Sequence, residues 1–199
     1  MKKDYVSQII TIASTQRILR PRDLEEHGIP RKYIYAATEK GYLEKHGRGI
    51  YVLPDSDVLS DSLVEASIKV PRGVVCLTSA LEYHQMTTQA PHLVWMAIGR
   101  KVETPCVKFP PMRFVRFSER ALTAGIEKHE RNGVSIKVYS PAKTIADCFK
   151  YRNKIGLDVA IDALKDCLRQ KKCSVDEVWK YATIDRVTNV IKPYLEAIV

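Results

Sequence analysis

Val6, Ile9, Ile10 and Ala13 stand at i, i+3, i+4 and i+7. That spacing gathers side chains on one side of a helix, so it predicts an amphipathic helix over residues 4–14. "TQRIL" reads as a short linker or strand. Pro21 suits the first turn of a second helix, with Leu24 inward and Gly28 as its stop. Pro30 opens a third helix, which Gly41 closes. "YLEKHGRGIYVLP" then predicts two short strands around His46-Gly47-Arg48-Gly49, a loop whose glycines supply positive φ. Three helices followed by a hairpin are the order of a winged helix-turn-helix, in which the third helix enters the major groove and the first two support it.

A helical wheel assigns the faces of that third helix. Pro30, Ile34, Ala37 and Thr38 share one side, with Leu43 just beyond to fill the core. The other side carries Lys32, Tyr35, Ala36, Glu39 and Lys40, with Arg31 at the exposed start. Long cations reach phosphates and guanine edges, while Tyr and Ala lie against sugars or thymine methyls. Any surface helix turns polar residues outward, so this face alone does not decide. The loop tips the balance: Lys45, His46 and Arg48 cluster where packing requires nothing of them, and an Arg at such a tip can enter a minor groove.

The acidic, turn-rich stretch "PDSDVLSDS" reads as an interdomain joint. The expected organisation is a winged helix-turn-helix over 1–54, a linker over 55–66, and a second domain over 67–199. The fold class is α+β, with a mixed α/β second domain ending in a helical bundle, and the acidic joint implies that the halves are separable. A helix is predicted from about 61 to 70. "GVVCL" and "HLVWMAIG" are buried strands, with a helix "TSALEYHQM" between them whose Ser79 and Glu82 have capping-box spacing. "MRFVRFS" alternates as a half-exposed strand does. "GIEKHERNGVSIKVYS" predicts a hairpin turning at Asn132-Gly133.

Four helices follow. One runs from Ser140-Pro141 to about 151. The next spans about 156–171, with Leu157, Ala160, Ile161, Leu164 and Leu168 on one face. A third begins at Ser174 with a capping box at Glu177, and the last runs over about 186–198 with Val187, Val190, Ile191, Tyr194 and Ile198 in a stripe.

Charge adds direction to this frame. The 199 residues carry a net +9, which favours acidic partners such as nucleic acid. Residues 1–54 hold ten Lys/Arg against six Asp/Glu, residues 55–99 two against five, and residues 100–172 seventeen against eight. Two basic regions therefore flank an acidic joint. The five cysteines lie mostly in apolar contexts, as buried thiols do, which suits a reducing cytoplasm. The N-terminus lacks a signal-peptide core, and no window approaches a membrane span.

Catalytic chemistry is hard to find. There is no phosphate-cradling glycine loop, no Gly-x-Ser-x-Gly and no His-Glu-x-x-His, so no cofactor and no metal are expected. An enzyme reading would be a metal-dependent nuclease using Glu127, Lys137 and Asp147. His84 reads as an ordinary helix residue rather than a base. In "YSPAKTIADCFKYRNKIG", Ala142, Ile145, Ala146 and Phe149 point inward on the wheel, while Lys143, Asp147, Lys150 and Tyr151 point outward. Lys143, Lys150, Arg152 and Lys154 read either as a solvated face or as a basic docking surface.

Three segments in this order carry a family likeness: "IPRKYIYAATEKGYLEKHGRGIYVLP", "LTSALEYHQMTTQAPHLVWMAIGR" and "YSPAKTIADCFKYRNKIGLDVAIDAL". They are spread from residue 29 to residue 164, and over most of its length the chain resembles the AbiEi family, the antitoxins and transcriptional regulators of type IV toxin–antitoxin and phage-abortive-infection loci. The resemblance implies an N-terminal winged helix that binds inverted repeats in the operon's own promoter. It also implies a C-terminal domain that contributes to repression and carries antitoxicity. The partner it implies is a nucleotidyltransferase-like toxin, with which no stable complex is required. It supplies no catalytic residues. Arg31, Lys32, Tyr35 and Arg48 fall in the family's DNA-reading region.

Overall fold

A computed structural model describes residues 4–47, 49–54, 56, 61–89 and 91–198. The chain divides into two compact units, residues 1–71 with 130–135, and residues 72–129 with 136–199. Much of the sequence-predicted joint, at 55 and 57–60, lies outside the described residues.

In the first unit, helix α1 spans Tyr5–Gln16, α2 Pro21–Glu26 and α3 Lys32–Glu39, followed by strands β1 (Glu44–Gly47) and β2 (Ile50–Val52) and helix α4 (Ser62–Lys69). Asp4 caps α1 by accepting a hydrogen bond from the Ser7 N–H at 3.3 Å. Pro21 opens α2, as its fixed φ favours. Gly28 and Gly41 leave α2 and α3 in the left-handed region, at φ 67° and 74°. In each case the next residue's N–H returns to a carbonyl of the last turn, Ile29 to Leu24 and Tyr42 to Ala37.

Ile9, Ala13, Leu19, Leu24, Ile29, Ile34, Ala37, Leu43 and Tyr51 form the core. Pro30 is a correction to the wheel. It is exposed, α3 begins two residues later, and Ile29 fills the inner position instead. "TQRIL" supplies a single antiparallel bridge, in which Leu19 and Tyr51 exchange backbone hydrogen bonds at 2.8 and 3.0 Å. A third strand position thus joins the β1–β2 hairpin. Of the two loop glycines, only Gly49 has positive φ, 72°. Gly47 ends β1, and a Cβ there would meet the Ile68 side chain of α4 at 3.3 Å.

In the second unit, β3 (Val74–Val75), α5 (Leu77–Tyr83), β4 (Val94–Gly99), β5 (Met112–Phe117), α6 (Glu119–Thr123), β6 (Ile126–Arg131) and β7 (Val134–Tyr139) build a five-stranded sheet of order β5-β4-β3-β7-β6. Residues 130–135, at the turn of the β6–β7 hairpin, group with the first unit. Strand β3 runs antiparallel to β4 and parallel to β7, and β4 runs parallel to β5. The hairpin turns at Asn132 and Gly133, φ 52° and 74°, the two positive values a type I′ turn requires.

Ser79 does not cap α5. The helix starts at Leu77, and the buried Ser79 hydroxyl accepts from the Trp95 N–H at 3.0 Å and contacts the Leu93 carbonyl at 3.3 Å, fixing α5 to β4. The Ser174–Glu177 capping box forms as its spacing predicts.

Helices α7 (Pro141–Lys150), α8 (Arg152–Ile155), α9 (Leu157–Arg169), α10 (Val175–Asp185) and α11 (Thr188–Ile198) complete the unit. Helix α7 packs against α5, α9, α10 and α11, so every residue from Ala142 to Phe149 is buried. In α9 the buried line is Ala160, Ala163, Leu164 and Cys167, whereas the sequence-predicted Leu157 is exposed.

The thiols are not all unpaired. Cys76 and Cys148 are buried, Cys106 is exposed, and Cys167 and Cys173 form a disulfide with Cα atoms 5.8 Å apart. After α9 the chain doubles back at Lys171, φ 55°, with the Lys172 N–H on the Cys167 carbonyl at 3.0 Å, which brings Cys173 beside Cys167.

Gly125 precedes β6 at φ 69° and accepts a 2.7 Å hydrogen bond from the Ser140 N–H. A Cβ there would lie 2.7 Å from Lys143 Cβ and 3.0 Å from the Tyr181 ring. Gly125→Ala therefore combines a disfavoured backbone with overpacking. It is expected to cost about 3 kcal/mol, read as a lower urea midpoint of the full chain. An unchanged midpoint would show that the approach is not this close.

Candidate nucleic-acid interface

Helix α3 lies over its core through Ile34 and Ala37 and leaves Arg31, Lys32, Tyr35, Glu39 and Lys40 exposed, with Ala36 half-buried. Tyr35 is 52% exposed, yet its ring is fixed from below. It meets the buried Tyr51 ring edge-on, centroids 6.4 Å apart at 83°. Tyr51 comes from β2, so the hairpin strand positions an aromatic on the helix. Burial pushes the Tyr51 phenol above its ordinary pKa, and the Tyr35 hydroxyl beside it adds to the effect.

Lys32 Nζ sits 5.3 Å from the Tyr33 ring centroid, and Tyr33 stacks at a tilt on Tyr5 of α1. On the hairpin, Lys45 is exposed, while His46 Nε2 lies 2.9 Å from Glu44 Oε2. Arg48 lies outside the described residues. Lys32, Tyr35 and Ala36 thus share one helix with Arg31 at its N-cap, and Lys45 and His46 stand on the hairpin that follows it. The exposed Tyr42, 46% accessible, joins α3 to that hairpin.

Sequence reasoning missed Glu25. Its carboxylate grips Arg31 twice, Nε to Oε1 at 2.6 Å and Nη2 to Oε2 at 3.1 Å. Hydrogen bonds and charge from Glu25 raise the Arg31 pKa further. The partners are six residues apart across the α2–α3 turn, a separation to which no helical or strand spacing points.

The proposed basic surface in the second unit needs correction. Lys143 and Asp147 point inward, both fully buried. Lys143 Nζ donates to Asp147 Oδ1 and, at 3.0 Å, to Asp185 Oδ2 of α10. It also lies 4.6 Å from the Phe117 and Tyr139 ring centroids, so two carboxylates and two aromatic faces enclose one ammonium. Burial alone would lower the Lys143 pKa, but the two carboxylates outweigh it and the net shift is upward. Burial, with the Asp185 charge adding to it, pushes the Asp147 carboxyl well above the ordinary range against the pull of Lys143.

Lys150 reaches Asp185 Oδ1 at 2.9 Å and is only partly accessible. Arg152 donates to the Phe149 carbonyl, and Lys154 lies over the Tyr151 ring. The wheel fails here because α7 is enclosed by other helices, so its polar stripe faces a partner helix rather than water.

The same burial bears on Asp147 of the nuclease reading. Asp147 is enclosed and paired with Lys143, and Glu127 Oε2 contacts His129 Nε2 at 3.2 Å. Among the described residues no group of three or more His, Cys, Asp or Glu side chains could hold a metal ion. His84 is half-buried, and burial lowers its pKa. Its Nε2 donates to the Tyr139 carbonyl at 2.7 Å.

Among the described residues no helix is long and apolar enough to cross a membrane. Residues 7–54, from α1 through the hairpin, match the family described as "Transcriptional regulator, AbiEi antitoxin". No curated protein matches the chain.

Proposed function

From the match of residues 7–54 to a family of regulator antitoxins, we propose that this chain is a cytoplasmic, non-enzymatic antitoxin and the DNA-binding autorepressor of its own toxin–antitoxin operon. The observation that carries the reading is the exposed face of α3. Arg31, Lys32 and Tyr35 stand outward there over a buried apolar core, with Lys45 on the hairpin that follows. Helix α3 reads base edges in the major groove of inverted repeats, and the hairpin grips the backbone. The remainder of the chain counteracts a nucleotidyltransferase-like toxin of a type IV, phage-defence locus without forming a stable complex with it. Lys150, Arg152 and Lys154 remain for a basic surface in that role, and Lys143 does not.

The test is binding of the full chain to the duplex upstream of its own reading frame, against random duplex, from low to moderate salt. A preference for the upstream duplex is expected, as is growth rescue when the chain is co-expressed with the neighbouring toxin. Equal affinity for both duplexes at every salt concentration would defeat the DNA reading, and absence of rescue would defeat the antitoxin reading.

A further inference from the structure

We propose that Glu25 is a positioning residue that holds Arg31 so that its free guanidinium edge reads a guanine in each half-site of the operator. This rests on the DNA-binding reading above and adds to it both a base identity and the residue that enforces it.

A guanidinium carries five N–H groups in a rigid fork. Glu25 occupies the side edge, through Nε at 2.6 Å and Nη2 at 3.1 Å. The end edge, formed by Nη1 and the second hydrogen of Nη2, makes no hydrogen bond among the described residues, and that is an edge which can pair with guanine O6 and N7. Arg31 immediately precedes α3, and Tyr35 stands four residues on, so the two share the exposed face of the helix.

Two physical arguments favour a base edge over a phosphate. First, the pair is open to solvent, its side chains 59% and 52% exposed, and such pairs contribute little to stability. Its effect is instead geometric: it restrains a long side chain that would otherwise sample many rotamers, so less order is lost on binding. Second, the Glu25 charge offsets that of Arg31. The pair has little net attraction for phosphate but keeps its directional donors, which suits hydrogen bonding to a neutral base better than a backbone contact. An Arg serving only the backbone gains nothing from a carboxylate beside it.

The experiment selects binding sites from a random-sequence duplex library with the full chain, and then measures affinity for the selected and for random duplexes. The wild type should enrich a guanine at one position of each half-site. Arg31→Ala should erase that enrichment and weaken the selected duplex by about ten- to a hundredfold, leaving random duplex little changed. Glu25→Ala and the isosteric Glu25→Gln should relax the guanine preference by about tenfold, while random-duplex affinity holds or rises because a negative charge is gone. The double variant should be no worse than Arg31→Ala alone, since Glu25 acts only through Arg31.

Equal losses on selected and random duplexes would assign Arg31 to the phosphates and overturn the proposal. Additive losses, or Glu25 variants with unchanged selectivity, would overturn the role of Glu25 while leaving DNA binding intact. Failure of the wild type to enrich any sequence would remove the DNA reading itself, and the proposal with it.

Discussion

Lys143→Met is expected to lower the stability of the chain by about 3–5 kcal/mol, because it leaves the buried Asp147 without its cation and facing Asp185, which keeps only the partly exposed Lys150. For a chain of this length that is a fall of roughly 10–15 °C in the thermal midpoint, read by circular dichroism. Asp147 and Asp185 are both enclosed, and Lys143 bridges them from α7 to α10. Neither carboxylate has water to turn to. The apolar replacement K143M/D147L/D185L should recover most of the loss, because it removes all three desolvated charges at similar volume. Lys150 loses Asp185 in that variant, but its side chain is 25% exposed and can hydrate. A Lys143→Met chain as stable as its parent would mean that the ammonium does not hold these carboxylates.

The second large effect is that of salt on DNA binding. If Lys32, Lys45 and Arg48 each neutralise one phosphate, log affinity falls with log salt at a slope of about −2.7, and fourfold more salt weakens binding roughly fortyfold. Two copies on an inverted repeat would double the slope to about −5.4 and raise the loss to roughly two-thousandfold, so the same titration reports stoichiometry. Lys45→Ala should flatten the slope by about 0.9 per copy. Tyr35→Ala should leave the slope alone and lower the preference for the upstream duplex by about tenfold. A slope near zero would remove the backbone contacts from the account.

Local signals in the sequence translated directly into structure. The Ser174–Glu177 box, the Asn132-Gly133 turn and the stops at Gly28 and Gly41 each depend on neighbours a few residues away, and each is legible for that reason. The α3 face was legible at Ile34 and Ala37, which are buried, but not at Pro30, which lies before the helix and is exposed. What the wheel misread was decided over longer distances. Ser79 is claimed by Trp95, sixteen residues on, rather than by a cap. Lys143 and Asp147 look like a solvated i,i+4 pair, but Asp185, thirty-eight residues beyond Asp147, comes from another helix and encloses them. Glu25 and Arg31 meet only because a turn between two helices folds them together.

The enclosed charges also constrain how this protein can change by inheritance. A one-step loss of Lys143 takes the shared cation from two enclosed carboxylates, and a one-step loss of Asp147 or Asp185 leaves the enclosed ammonium one carboxylate instead of two, so each single step costs stability. The apolar alternative is reached only by several substitutions at once. A lineage that acquires such a cluster is held to it by the depth of the intervening steps, even where a greasy core would be equally stable. The cluster is then a record of the path by which the sequence arrived, and these three positions should vary together or not at all.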